Sequence, residues 1–245
     1  MRPHLILLPV VLFSTPTLAA GCATDFLGGK PPAVTSSKLT VDFQLCFDEY
    51  AVGYSATSRT PLWSAEDLTA AQLAVHVPRK DDFHAEAQLP AEARAEIGDY
   101  SRTGFDKGHM TPADDESTPK AERQSFSLAN MVPQNPKLNR GLWARIEKTV
   151  RDLAERDGQV YVVTGPIFAD SSVVPDGRVR VPSETFKAID DPKGKILGAY
   201  VADNGADGTY ELVSIAKLDA MIGFDVFPGL SSAQTRSATM PEITE

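Results

Sequence analysis

Residues 139–168 read NRGLWARIEKTVRDLAERDGQVYVVTGPIF, and the change of periodicity inside this stretch decides the fold class. Leu142, Trp143, Ile146, Val150 and Leu153 recur at three- and four-residue steps, which lays one apolar stripe along a helix and predicts a helix from Asn139 to Asp157. Gly158 follows as the residue that can end it in the left-handed conformation. Gln159 to Phe168 is then a short, β-branched apolar run stopped by Gly165-Pro166, which reads as a buried strand.

Working outward, Val41–Ser55, Val179–Ile189, Ile196–Asp203 and Tyr210–Ile215 are strand-like segments between Gly, Pro, Asp and Asn punctuation. Ser64–Thr69 has the look of a capped helical turn, and residues 78–100 read as loop plus a short helix. Gly28-Gly29 and Pro31-Pro32 make residues 25–38 irregular. The predicted architecture is α+β, a mostly antiparallel central sheet flanked by helices, in a single domain over residues 21–230. Ser231–Glu245 is polar and aperiodic, and a flexible C-terminal tail is expected.

Composition bounds the function. With 245 residues, 42% of them hydrophobic, the chain can build one substantial core, and disorder, collagen and solenoid readings fall away. The formal charge of −9 is the opposite of what a passive nucleic-acid coat needs, so a polyanion partner requires a local basic patch. Two cysteines cannot build a zinc ribbon or finger. The sequence holds no G-x-S-x-G elbow, no phosphate-binding P-loop, no G-x-G-x-x-G and no H-E-x-x-H.

Arg2 and His4 precede an apolar run from Leu5 to Phe13, and Thr17-Leu18-Ala19-Ala20 follows. This is the three-part pattern of a secretory signal peptide over residues 1–20, with cleavage expected near Ala19 or Ala20. The run contains Pro9 and falls short of the roughly 20 residues that span a bilayer, so no membrane span is expected and the protein is read as secreted or periplasmic. In an oxidising compartment Cys22 and Cys46 are expected to pair. The alternative treats Ala19–Cys22 as a loose lipoprotein box, with Cys22 lipidated and Cys46 a buried thiol.

Four histidines are present. His4 lies in the leader, His76 suits a structural place in a strand, and His84 sits in a charged, solvated stretch. His109 differs, because Gly104-Phe105-Asp106-Lys107-Gly108-His109-Met110 puts a carboxylate, a cation and a glycine within three residues of an imidazole. Downstream come Asn130, then Asn139, then Glu147. At 100° per residue the last two lie about 80° apart and two turns along one helix, so both can border one cleft. From Lys137 to Arg151 five cations stand against one anion, which is the local basic patch that the overall charge demands. Singly, each feature also has an ordinary structural explanation: a surface turn, a solvated helix face, a helix cap.

Together the motifs resemble the DNA/RNA non-specific endonucleases, whose ββα-metal (His-Me finger) site carries an Asp-Arg-Gly-His signature. The likeness runs through Tyr50–Val52, Thr60–Trp63, Asp99-Tyr100, Gly104–Pro112, Ser125–Gln134, Leu138–Trp143 with Glu147, and Val162–Pro166. It implies His109 as the general base for the attacking water, a role that a neutral imidazole can fill. It implies Asn139 as the single direct protein ligand of a divalent cation, magnesium or alternatively manganese, with Glu147 holding water bound to that ion. Asn130 is implied to line the site and orient its groups.

In one place the chain departs from the signature: its arginine is Lys107. A lysine offers a point charge where arginine offers a two-pronged clamp, so Arg102, Arg59 and Arg140 are unranked candidates to supply phosphate contacts. Asp106 is expected to orient the loop or His109 rather than bind metal. The resemblance therefore implies an exported, metal-dependent endonuclease acting on DNA and RNA and leaving 5′-phosphate ends. Nonspecificity follows if the site engages phosphate and backbone instead of base edges. The alternatives are a catalytically silent secreted binding module and a phosphodiesterase for small nucleotides. Whether an inhibitor protein or an oligomer exists is not legible in the sequence.

Overall fold

The strand expected at residues 159–168 is the spine of the molecule. The computed structural model describes residues 22–169, 172–175 and 177–244; the leader reading over residues 1–20 lies outside them. In chain order the strands are β1 (Ala33–Val34), β2 (Phe43–Cys46), β3 (Tyr50–Ser55), β4 (Thr60–Thr69), β5 (Asp106–His109), β6 (Met131–Gln134), β7 (Gln159–Ile167), β8 (Glu184–Asp190), β9 (Leu197–Asp203), β10 (Tyr210–Val213) and β11 (Phe224–Asp225). The α-helices are α1 (Ala70–Leu73), α2 (Pro119–Ser125), α3 (Ala144–Asp157) and α4 (Ile215–Ile222). A seven-stranded sheet runs β10-β9-β8-β7-β4-β3-β2, antiparallel at every step, as the α+β reading expects.

Alternation along the central strands supplies two cores. Val160 and Val162 of β7, Ile189 of β8 and Tyr200 and Ala202 of β9 meet the α3 stripe of Ile146, Val150 and Leu153 on one face. Val163, Phe186, Ala188, Ala199 and Val201 point the other way, onto Ile215, Leu218 and Ile222 of α4. Each large apolar side chain buried in this way contributes roughly 1.5–3 kcal/mol, so the faces of the sheet fix where both helices sit. Gly158 closes α3 at φ 94°. The hairpin β5–β6 forms a separate two-stranded ribbon. It is seated beside α3 by Thr111 against Ser64 of β4, 2.5 Å apart, and by buried Lys187 of β8, whose Nζ donates to the Met110 carbonyl and to Thr164 Oγ1.

Several local expectations are corrected. Ser64–Thr69 continue β4, because they pair with β7 through Ser64↔Thr164 to Thr69↔Gln159. The helix begins one residue later, with Thr69 as its N-cap and Gln72 completing the capping box. Val41–Ser55 holds two strands rather than one, and in Val179–Ile189 the continuous strand starts only at Glu184, after an isolated bridge from Arg180 to Val173. Described residues of the expected C-terminal tail make contacts with the body. Thr239 and Leu197 exchange backbone hydrogen bonds, Tyr200 Oη donates to the Pro241 carbonyl, and Met240 and Ile243 pack on the α3-side core. Aperiodic sequence can dock through its backbone.

Cys22 and Cys46 form a disulfide, so the expected pairing is present and ties the first described residues to β2. Among the described residues no helix is long and apolar enough to cross a membrane.

Candidate active site

Strand β5 is Asp106-Lys107-Gly108-His109, and its period of two sends Lys107 and His109 to the same side. Gly108 has a packing reason. A Cβ there would stand 2.6 Å from Gln134 Cβ, so only glycine lets the buried Gln134 side chain of β6 lie flat against it. Pro136 and Lys137 lead from β6 into Leu138–Trp143, a single π-helical turn that continues into α3. The expected helix is therefore present but its first turn is wider than α, a distortion that often marks functional positions. This turn delivers Asn139, and the first turn of α3 delivers Glu147.

These elements enclose a cleft of about 460 Å³, lined by Lys107, His109, Asn139, Arg140 and Glu147 together with Asp106. The structure thus gathers into one cavity the imidazole, the amide and the carboxylate that lie far apart in sequence. His109 is only 8% exposed; its ring stands 4.9 Å edge-on to Phe126 and 5.8 Å from Phe83. Burial, reinforced by the Arg79 charge, lowers its pKa to about 3, so the ring is neutral at neutral pH. Its Nε2 is buried with no hydrogen-bond partner.

Asp106 organises the opposite wall. It accepts from Asn139 Nδ2 at 2.9 Å and from both arms of the Arg140 fork at 2.8 and 2.6 Å. Burial opposes its charge, but the Arg140 and Asn139 hydrogen bonds outweigh that and hold its pKa below the usual carboxylate value. The donation to a carboxylate identifies Nδ2, which leaves Asn139 Oδ1 as the free hard donor of that amide. Glu147 is pushed up to about 7, chiefly by burial and also by Asp115 and Asp114, against the pull of Lys187 and Arg151.

The donor set is therefore all oxygen, an amide carbonyl and a carboxylate, which suits a hard dication that keeps much of its hydration. Among the described residues no three His, Cys, Asp or Glu side chains form a protein cage for a metal. A cation held here would rest on Asn139 Oδ1, with Glu147 beside it.

Other expected site residues lie elsewhere. Asn130 does not line the cleft; it is fully buried and its amide is spent, donating to the Thr111 and Ser125 carbonyls and accepting from Thr111 N. It staples the chain just beyond His109. Arg59 sits in the β3–β4 turn and donates to the carbonyls of Arg94 and Glu92, and Arg102 lies in an exposed turn at φ 60°; neither lines the cleft. Arg140 lines it, but its fork is taken by Asp106. The basic run is also partly neutralised, since Lys148 pairs with Asp152 and Arg151 with Asp115.

Two groups escaped the sequence reading, Arg79 and Phe83, which line the cleft together with Arg151, counted there only as part of the basic run. Arg151 stands four residues after Glu147, a spacing that shares a helix face and could have flagged it. Arg79 and Phe83 come from a loop, and no local pattern marks them.

A β-hairpin carrying a histidine, followed by a helix carrying an oxygen donor, defines the ββα-metal nuclease fold, and a similar solved structure shares it. That neighbour, a chain of the crystal structure of the EndoG/EndoGI complex, superposes with a TM-score of 0.74 at 25% identity, covering 84% of this chain and 94% of its own. The DNA/RNA non-specific endonuclease family model matches residues 32–233, and the chain belongs to that metal-dependent nuclease family. It is 33% identical to the mitochondrial nuclease EXOG of Danio rerio over 77% of its length, and spans 62% of that relative. It is 36% identical to a nuclease of Syncephalastrum racemosum over 93% of its length and 79% of the relative's.

Proposed function

We propose that this protein is an exported, magnesium-dependent endonuclease that hydrolyses phosphodiester bonds of DNA and RNA with little sequence preference. The observation that carries the reading is the meeting of His109, Asn139 and Glu147 in one cleft. Family membership supports the nuclease chemistry; the disulfide and the leader-like residues 1–20 support export.

With Nε2 enclosed, His109 has Nδ1 left for the cleft, and there it takes the proton of the attacking water. The neutral ring is a weak base in the free protein, and an anionic phosphate placed beside it raises its proton affinity when substrate arrives. Asn139 Oδ1, oriented by the Asp106 bond, would bind the cation directly, and Glu147 would hold water bound to it. When bound, that ion neutralises charge building on the phosphate and on the departing 3′ oxygen. Lys107 and the guanidinium of Arg151 face the same phosphate from the strand and the helix. All these contacts reach backbone groups common to DNA and RNA.

Purified protein incubated with circular DNA and with RNA should cut both in magnesium and neither in chelator. Manganese is expected to substitute. The nicked ends should be ligatable without added kinase, as 5′-phosphates are. An intact circle alongside hydrolysed small phosphodiesters would replace this reading with a small-ester phosphodiesterase. Export is tested by N-terminal sequencing of protein recovered outside the cytoplasm, which should begin near Gly21.

A further inference from the structure

On that reading a phosphate lies beside His109, and the signature arginine position holds Lys107. We propose that Phe83 is a positioning residue for the Lys107–phosphate contact, its ring face giving the lysine ammonium the fixed place that an arginine fork would otherwise find for itself. Lys107 Nζ lies 4.5 Å from the centroid of the Phe83 ring. The ring is itself held, edge-on to Phe126 at 4.9 Å and 88°, and 5.8 Å from the His109 ring. The loop carrying it is stitched down on both sides of Phe126, by His84 N to the Phe126 carbonyl and by Leu128 N to the His84 carbonyl.

The other cations of the cleft each have a carboxylate partner. Arg79 pairs with Asp81 and also lies 4.9 Å over the Phe126 ring, Arg140 pairs with Asp106 and Arg151 with Asp115. Lys107 has no carboxylate partner among the described residues. A carboxylate would occupy ammonium N–H groups and compete with a phosphate, whereas an aromatic face attracts the charge and leaves the donors directed away from the ring free. A lysine stem has four rotatable bonds and loses much freedom when fixed, so a preformed seat matters more here than for a planar guanidinium.

A double-mutant cycle with Phe83→Leu and Lys107→Met on circular DNA in magnesium tests this. Each single change is expected to lower kcat/KM about tenfold, within the range of a lost cation–π contact, and the double variant should fall no further than Lys107→Met. Phe83→Tyr, which keeps the ring face, should recover most of the loss seen with Phe83→Leu. In chelator, Lys107→Met should flatten the dependence of log Kd on log salt for duplex DNA by about 0.9, one phosphate contact. Multiplying losses in the double variant, parental activity for Phe83→Leu, failure of Phe83→Tyr to recover, or an unchanged salt slope would each overturn the proposal. If Phe83→Leu does not fold, Phe83→Met carries the same cycle. Failure of the nuclease reading itself shows separately, as a parental enzyme that leaves circular DNA intact in magnesium.

Discussion

His109 is kept uncharged by the fold, since burial and then the Arg79 charge hold its pKa at about 3. The unfolded imidazole titrates near 6.5, so between these two values the unfolded chain binds more protons than the folded one. Stability therefore rises with pH across that window, and the contribution of the neutral ring is complete above about 6.5 and lost as pH falls toward 3. In urea unfolding without metal, the parent should lose more stability than His109→Gln when pH drops from 7.5 to 5. Equal losses would mean that the ring is not held neutral. At this scale the sequence was readable where chemistry is local, as in Asp106 to His109. Lys187 and Arg79 were not legible, because their importance comes only from strands and loops that fold onto the hairpin.

The hairpin and its helix form one unit, and Asn130 shows what holds it. Its amide makes three hydrogen bonds in a dry interior, and removing it strands the Thr111 N–H and two carbonyls. Asn130→Ala should cost about 3 kcal/mol in urea unfolding, at about 1–3 kcal/mol per stranded group. Activity per folded molecule should fall less than tenfold, because the side chain does not reach the cleft; a hundredfold loss in a fully folded variant would restore it to the site. The α3 stripe and the strand after it were legible because their periods are unbroken over many residues. Ser64–Thr69 misled because a serine followed by acidic residues imitates a helix start, whereas pairing with strands on both sides decides the outcome. The π-helical turn at Leu138–Trp143 leaves no such mark, since residue types for α and π turns are alike.

Across the whole molecule, an acidic chain of formal charge −9 builds a site for a polyanion by clustering cations at one cleft and tethering most of them to carboxylates. The disulfide acts at the far end of the sheet. Reducing Cys22–Cys46, which closes a separation of 24 residues, should remove about 3 kcal/mol and lower Tm by about 6–12 °C for a domain of this size, read by calorimetry with and without dithiothreitol. An unchanged Tm would show that the bond is absent or idle in solution. The antiparallel sheet was legible as a class, and its strand order was not, because pairing partners are set by packing over long sequence separations. The most direct measurement is the rate at which His109→Ala linearises circular DNA in magnesium, with its folding checked by circular dichroism. A folded variant slowed at least about a hundredfold, the lower end of what a general base supplies, is the outcome expected here; a folded variant cutting at the parental rate would contradict the account.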